Sequence, residues 1–189
     1  MTRITPITDR SQLPPERQAE WDAVFARLGR VRGPLGVMLN SAGLATGFAT
    51  IMAQTHADGV VSDAIHELAI LAVAHEDDAP YQWTAHIARA RETGVSDAAI
   101  EILRTGGDHS ALDADERDVI EAARQLCRTN HLGQTLYDAL VARHGDRWLM
   151  LVIATIGLYR MVATFNNAYE VDPLPGDDQP GGRDAYRAA

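Results

Sequence analysis

The sequence has very little cysteine and no long hydrophobic run. Cys127 is the one cysteine in 189 residues, which excludes an intrachain disulfide and fits a reducing compartment such as the cytoplasm. The longest apolar stretch, residues 148–158, is shorter than a transmembrane helix, and residues 1–10 lack the apolar segment of a signal peptide. We therefore expect a cytoplasmic protein with no membrane partner, in which residues 148–158 belong to a buried core helix.

The sequence also has fewer basic than acidic side chains. The chain has 17 Lys and Arg against 26 Asp and Glu, for a formal net charge of −9, which disfavours nucleic acid as a partner. A small anionic substrate is still compatible with this balance, because one nearby arginine can offset the overall field. The sequence also lacks a glycine-rich phosphate loop, a G-x-S-x-G nucleophile elbow and, after His66-Glu67, the second histidine of an H-E-x-x-H zinc site. We expect neither a metal nor a cofactor.

Strand-like alternation is nearly absent, and helix start and stop signals divide the chain instead. In the first half these signals are prolines, a serine N-cap and glycines, and they predict helices over residues 14–29, 39–56, 62–78 and 80–94. Residues 30–36, with Gly33 and Pro34, are predicted to form a loop. The pattern predicts an all-α protein.

The second half continues in the same way, with predicted helices over residues 96–105, 113–127, 134–144 and 146–169. Asp113 and Glu116 form a predicted capping box, and Asp146 is the predicted N-cap of the last and most apolar helix. Residues 1–171 are therefore expected to form a single helical domain. Residues 172–189 form a tail rich in Pro and Gly, either disordered or laid over a neighbouring subunit.

Residues 65–94 are the most informative part of the sequence, because they place a carboxylate and an imidazole on two helices joined by a tight turn. Glu67 lies on the first helix and His86 on the second. If the helices pack antiparallel, the two side chains could meet, and a histidine oriented by a carboxylate is a usable general acid or base near neutral pH. The alternatives are a core or interface histidine and a structural ion pair of Glu67.

Four segments resemble one known family in their order along the chain. They are Glu67 in its helix rich in Ala and Leu, Y-Q-W-T-A-H at 81–86, G-V-S-D at 94–97 and I-G-L-Y…N-N-A at 156–168. Together they resemble the carboxymuconolactone decarboxylase/AhpD-like family. The resemblance implies an AhpD-like bundle of about seven to eight helices, and a homo-oligomer such as a trimer or hexamer.

The hydroperoxidase branch of that family has a site that resembles Glu…Cys-x-x-Cys-x-x-x-His. Aligned on His86, its cysteine positions correspond to Ala79 and Gln82, so the proton-handling pair is present and the thiol pair is absent. Peroxide reduction by this route needs a thiolate and a resolving thiol. Cys127 lies in a different predicted helix, where we expect a small buried side chain. A self-sufficient peroxidase is therefore disfavoured.

The resemblance then implies the branch named for carboxymuconolactone decarboxylation, which is redox-neutral and uses no cofactor. Loss of carbon dioxide beside an unsaturated lactone leaves a delocalised oxyanion that the protein must stabilise before a proton returns to carbon. The expected catalytic residues are His86 as proton donor or acceptor, Glu67 as the carboxylate that orients it, and Tyr81 as a hydrogen-bond donor to the oxyanion. The expected substrate-binding residues are Trp83, Gln82, Arg89, Tyr159 and Asn166.

We thus expect a lyase or isomerase that acts on a small oxygenated carboxylic acid or lactone. Arg160 is the alternative to Arg89 as the group that holds a substrate carboxylate. Tyr81 and Trp83 could instead be packing residues, and Arg89 could belong to a solvated face. Two other functions are left open, namely a peroxiredoxin- or alkylhydroperoxidase-type oxidoreductase and a non-catalytic oligomer that binds a small molecule.

Overall fold

The computed structural model describes residues 2–176 and 178, and helices are the only regular elements in that part of the chain. The nine α-helices are α1 Gln18–Leu28, α2 Pro34–Met38, α3 Leu44–Thr55, α4 Asp63–Glu76, α5 Pro80–Thr93, α6 Asp97–Thr105, α7 Ala114–Thr129, α8 Gln134–His144 and α9 Asp146–Ala168. Short 3-10 helices lie at Arg10–Gln12, Pro15–Arg17 and Ala57–Gly59. The predicted all-α class is confirmed.

The central helix is α4, which is buried without interruption from His66 to Glu76. Residues 68–74 are apolar on every side of the helix, and such a helix has no face suited to water. Accordingly α5, α7 and α9 pack around it. The turn at 77–79 reverses the chain, so α5 returns antiparallel along α4.

Most of the predicted helix ends occur where local chemistry requires them. The Ser62 side chain accepts a hydrogen bond from the Ile65 amide and begins α4, and Ser96 does the same for α6 with the Ala99 amide. Gly94 closes α5 with a left-handed backbone conformation, which glycine adopts without the steric cost of a Cβ.

The segment between α1 and α3 departs from the prediction. The helix predicted over 39–56 begins only at Leu44, because Gly43 takes a left-handed conformation with φ 75°. The loop predicted over 30–36 is interrupted by α2, which starts at Pro34 directly after Gly33. Proline at the first helical position is pre-organised for a helix, so Gly33-Pro34 starts a short helix and does not continue the loop.

Two predicted caps are wrong in part. Asp113 does cap α7, but the carboxylate of Glu116 accepts hydrogen bonds from the amide and hydroxyl of Ser96, not from the backbone of its own helix start. This contact joins α6 to α7, and a tertiary partner has replaced the local one. Asp146 is the first residue of α9, and Gly145, with φ 82°, occupies the cap position.

The last helix and the segment after it complete the bundle. Among the described residues, α9 alone is long and apolar enough to cross a membrane, and half of its most apolar window is buried in the bundle. It agrees with the helix predicted over 146–169 and contains the apolar stretch 148–158. Of the predicted tail, residues 177 and 179–189 lie outside the described residues. The described part lies on its own chain, where the Leu174 amide donates to Thr84 and Asp178 pairs with Arg91 and Arg104.

Candidate active site

Glu67 and His86 are in contact, which is the outcome expected from the sequence on the condition that their helices pack antiparallel. His86 Nδ1 lies 2.8 Å from Glu67 Oε2, and the two side chains are 13% and 6% exposed. The antiparallel return of α5 along α4 produces this contact, and one turn earlier in α5 the amide of Gln82 donates to the carbonyl of Ile70 at 2.9 Å. An ionised carboxylate can only accept, so Nδ1 donates, and Nε2 of the neutral imidazole is left to accept a proton.

Arg89 approaches Glu67 from the solvent side. Its Nε lies 3.5 Å from Glu67 Oε1, while its Nη2 donates to Asp63 at 2.7 Å. The half-exposed guanidinium partly offsets the buried carboxylate charge. Arg89 was predicted to bind substrate, but it does not line the cavity beside His86, and the structure places it against the Glu67 carboxylate.

A cavity of about 130 Å³ lies on the other side of His86, where α5, α9, α3 and the α1–α2 loop meet. Cavities of this size hold a single ring. Four predicted site residues line it, namely Tyr81, Gln82, His86 and Tyr159. The rest of the lining comes from residues that were not predicted: Leu28, Arg30, Arg32, Pro34, Leu35, Met52, Ala85 and Val162.

Two tyrosines, Tyr81 and Tyr159, line this cavity. Burial raises the pKa of Tyr81, against the opposing charges of Arg32 and Arg30. Burial also raises the pKa of Tyr159, helped by the charge of Glu67, and the Tyr159 ring meets the His86 ring edge-on with centroids 5.2 Å apart. Both phenols are therefore protonated hydrogen-bond donors at neutral pH.

Gly33 allows Tyr81 to take its position. The Gly33 backbone has φ 55°, and a Cβ there would lie 2.1 Å from the Tyr81 hydroxyl. Glycine is thus required both for the backbone conformation and for the close approach. The Gly-Pro step was recognised in the sequence as a break, but nothing in its pattern indicated a contact with Tyr81.

Two predicted substrate-binding residues lie elsewhere. Trp83 is fully buried, and the Arg104 guanidinium sits 5.3 Å from its ring centroid. Asn166 is buried on α9 and is not part of the cavity lining. Because side chains one residue apart on a helix point about 100° apart, Trp83 turns into the core while Gln82 and His86 face the cavity.

Arg30 and Arg32 are the functional candidates that sequence reasoning missed. Of the arginines suggested for a substrate carboxylate, Arg160 instead donates to Asn130 and to backbone carbonyls of α7, and it pairs with Asp77. Arg30 and Arg32 stand in the loop before Gly33-Pro34. Two like charges close together in a loop were the sequence signal that could have pointed to them. Their proximity to the cavity depends on how α1 packs, which periodicity does not reveal.

Thiol chemistry has no support at this site. Ala79, at one of the two expected cysteine positions, is the buried residue that precedes α5, and Gln82 occupies the other. Cys127 lies on α7, is partly exposed and does not line the cavity. Within residues 2–176 and 178, no group of three or more His, Cys, Asp or Glu side chains is arranged to hold a metal ion.

The helical bundle is an AhpD-like all-α fold, as predicted. A crystal structure of an uncharacterized peroxidase-related protein from Silicibacter sp. TM1040 has a TM-score of 0.72 at 21% identity and covers 92% of both chains. The debrominase Bmp8, a cysteine-to-alanine variant in complex with 2,3,4-tribromopyrrole, has a TM-score of 0.66 at 16% identity, over 100% of this chain and 97% of that one. No family model and no curated protein matches the chain.

Proposed function

We propose that this protein is a cofactor-independent, carboxymuconolactone decarboxylase-like lyase or isomerase that acts on a small oxygenated carboxylic acid or lactone. The observation that carries the proposal is the 2.8 Å contact of His86 Nδ1 with Glu67, on the wall of a ring-sized cavity. That contact leaves Nε2 to exchange a proton with a bound molecule. The chain has no lysine, so a Schiff base with a lysine side chain is not an alternative route to the same carbanion.

In the proposed decarboxylation, the bond between the ring carbon and the carboxylate breaks and carbon dioxide leaves. The electron pair moves into the conjugated carbonyl, and the Tyr81 or Tyr159 hydroxyl donates to the resulting oxyanion. His86 Nε2, which has taken up a proton from water, then delivers that proton to carbon and returns to the neutral imidazole, and Glu67 stabilises the imidazolium before this transfer. In an isomerisation, His86 removes a proton from one carbon and returns it to another, so the balance is again redox-neutral.

The test is proton exchange at carbon. Purified protein is incubated in D₂O with a panel of small carboxylic acids and lactones, and deuterium incorporation and turnover are followed by NMR. We expect His86→Asn to lower the rate by about 100-fold or more, since positioned acid–base groups contribute about 10²–10⁴-fold. The matched control is His131→Asn, an exposed histidine in the loop before α8. Unchanged exchange in the His86 variant would exclude its proposed role.

A second variant tests the carboxylate. Glu67→Gln keeps a hydrogen-bond acceptor for Nδ1 but removes the charge that stabilises the imidazolium, so we expect exchange to fall about 10- to 100-fold. Glu92→Gln, on the exposed face of α5, is the control for loss of one negative charge. If both variants exchange at the wild-type rate, Glu67 serves only to hold α4 and α5 together.

An oxidoreductase of the peroxiredoxin or alkylhydroperoxidase type is the competing proposal, favoured by the peroxidase-related structure that shares the fold. Against it stand Ala79 and Gln82 at the expected cysteine positions and the remote Cys127. We expect no dithiothreitol-dependent turnover of an organic hydroperoxide. Turnover that disappears in Cys127→Ala would replace the lyase proposal, whereas binding without any reaction would favour a non-catalytic binding protein.

A further inference from the structure

The loop between α1 and α2 brings two arginines to the mouth of the cavity. Arg30 and Arg32 both line it and are both exposed. Within residues 2–176 and 178, neither makes an ion pair, although most arginines of this region do, including Arg17, Arg89 and Arg128. An arginine that a protein keeps beside a cavity without an acidic partner is available to an anionic ligand.

The loop is held in place at both ends. Gly29 ends α1 in a left-handed conformation, and Gly33, whose backbone lies against the Tyr81 hydroxyl, precedes α2. Leu28 on one side of the loop and Pro34 on the other also line the cavity. The two guanidinium groups therefore belong to a loop anchored at the cavity and not to a free surface segment.

The rest of the cavity is divided by chemistry. Met52, Leu35 and Val162 are apolar lining residues, while His86, Gln82 and the two tyrosines carry polar side-chain groups. The positive charges of Arg30 and Arg32 act on Tyr81, a lining residue of the cavity, and both lower the pKa of its hydroxyl against the effect of burial. In a chain of net charge −9, this local positive field is what lets an anion approach.

We propose that Arg30 and Arg32 are the anion-binding, specificity-determining residues of this cavity, and that they hold the carboxylate of a ring-sized organic acid whose body reaches His86. The planar guanidinium fork matches a carboxylate. The inference rests on the proposed function only in assigning the reaction to the same cavity. Binding at the arginines does not require any turnover.

Charge-selective binding is the first test. The affinities of benzoate and of benzamide, a neutral molecule of nearly the same shape, are compared by NMR titration at low ionic strength. We expect the wild type to bind benzoate more tightly, and Arg30→Gln/Arg32→Gln to lose about 10- to 100-fold in benzoate affinity with little change for benzamide, as for charge-assisted hydrogen bonds. Added salt should weaken the preference, since both arginines are exposed.

The control is Arg27→Gln. Arg27 is an exposed arginine on α1 that donates to the Ala23 carbonyl and does not line the cavity. The Arg27→Gln substitution should leave the affinities for benzoate and for benzamide unchanged. Equal affinity of the wild type for benzoate and benzamide, or an equal loss in Arg27→Gln, overturns the inference. Arg30 and Arg32 are both exposed, so the thermal melting temperature of the double variant should match that of the wild type. Such a match would exclude unfolding as the cause of the lost benzoate affinity.

This experiment separates the inference from the proposed function. Charge-selective binding without any proton exchange would overturn the proposed function and leave the anion subsite intact. Proton exchange that requires His86, together with binding that shows no charge selectivity, would overturn the anion-binding role of Arg30 and Arg32 and leave the proposed function intact. With an active substrate acid whose arginine-bound carboxylate is not the group that leaves, the double variant should raise KM by about tenfold or more while kcat changes little, as expected for residues that bind the non-reacting end of the substrate.

Discussion

At the scale of single residues, two histidines of neighbouring helices have opposite surroundings. His86 faces a cavity and contacts a carboxylate, whereas His66 is 2% exposed, with its Nδ1 3.0 Å from the Thr155 hydroxyl and its ring stacked on His56. Burial lowers the pKa of His66 to about 4, and His56 adds to this, while Asp63 and Glu67 oppose it. His66 is therefore a packed core residue that is neutral in the folded protein at neutral pH.

The lowered pKa of His66 predicts that the folded protein loses stability in acid. The unfolded chain takes up a proton at His66 near its ordinary pKa of 6.5, while the folded chain does so only near 4. Stability is thus lost as the pH falls through this window, by about 2 to 3 kcal/mol between pH 7 and 4.5 for this one group. Urea unfolding at both pH values should show a smaller loss in His66→Asn. An identical loss in the variant would mean that other groups cause the acid sensitivity.

At the scale of elements, the α1–α2 loop connects the fold to the site. Gly33 combines a backbone that disfavours a side chain with a contact against Tyr81, and the neighbouring arginines lie at the cavity because α1 and α2 anchor the loop. Glycine adopts such a backbone without steric cost, so the strain would arise only with a larger residue at position 33. The loop therefore sets both the shape of the site and the position of its positive charges.

Gly33→Ala tests this dependence. Gly43 also has a left-handed backbone, with φ 75°, but nothing lies within 4 Å of a Cβ added there. Gly43→Ala should therefore cost about 1 kcal/mol from backbone strain alone. Gly33→Ala combines a backbone conformation, φ 55° and ψ −127°, that is less accessible to alanine than that of Gly43 with the clash against Tyr81, so we expect a larger loss in chemical denaturation together with reduced proton exchange. Equal losses in the two variants would show that the Tyr81 contact relaxes without cost.

At the scale of the whole molecule, one face of α9 exposes apolar side chains. Met150 is 68% exposed, and Ile153 and Met161 are each 36% exposed. Their spacing, with Gly157 between them, places them along one side of the helix. An apolar strip of this kind on a folded chain is typical of a surface that another molecule covers. With the resemblance to an oligomeric family, this favours a second copy of the chain.

We expect a homo-oligomer, a trimer or hexamer, in light scattering coupled to size-exclusion chromatography. Met150→Glu should reduce the mass, because a buried, unpaired carboxylate opposes association. Ala142→Glu adds the same charge on the exposed side of α8 and should leave the mass unchanged. A monomeric wild type at micromolar concentration would contradict the expectation.

The limits of prediction follow from which interactions are local. Ser62, Ser96 and Gly94 act on their own helix ends, so their roles could be predicted from the sequence. Glu116 was predicted to cap its own helix but bonds Ser96, because a partner from another helix competes with the local one. Trp83 resembled a wall of the site, yet one helical position decides whether a side chain faces a cavity or the core.

By itself the sequence determined the helical class, most helix ends and the candidate pair Glu67 and His86, because caps, periodicity and motif spacing are properties of neighbouring residues. Only the tertiary structure decided that a cavity adjoins His86, that Arg30 and Arg32 stand at its mouth while Arg89 and Arg160 do not, and that Gly33 makes room for Tyr81. These features depend on how α1, α3 and α9 pack around α5, and contacts between residues so distant in the chain have no periodic signal.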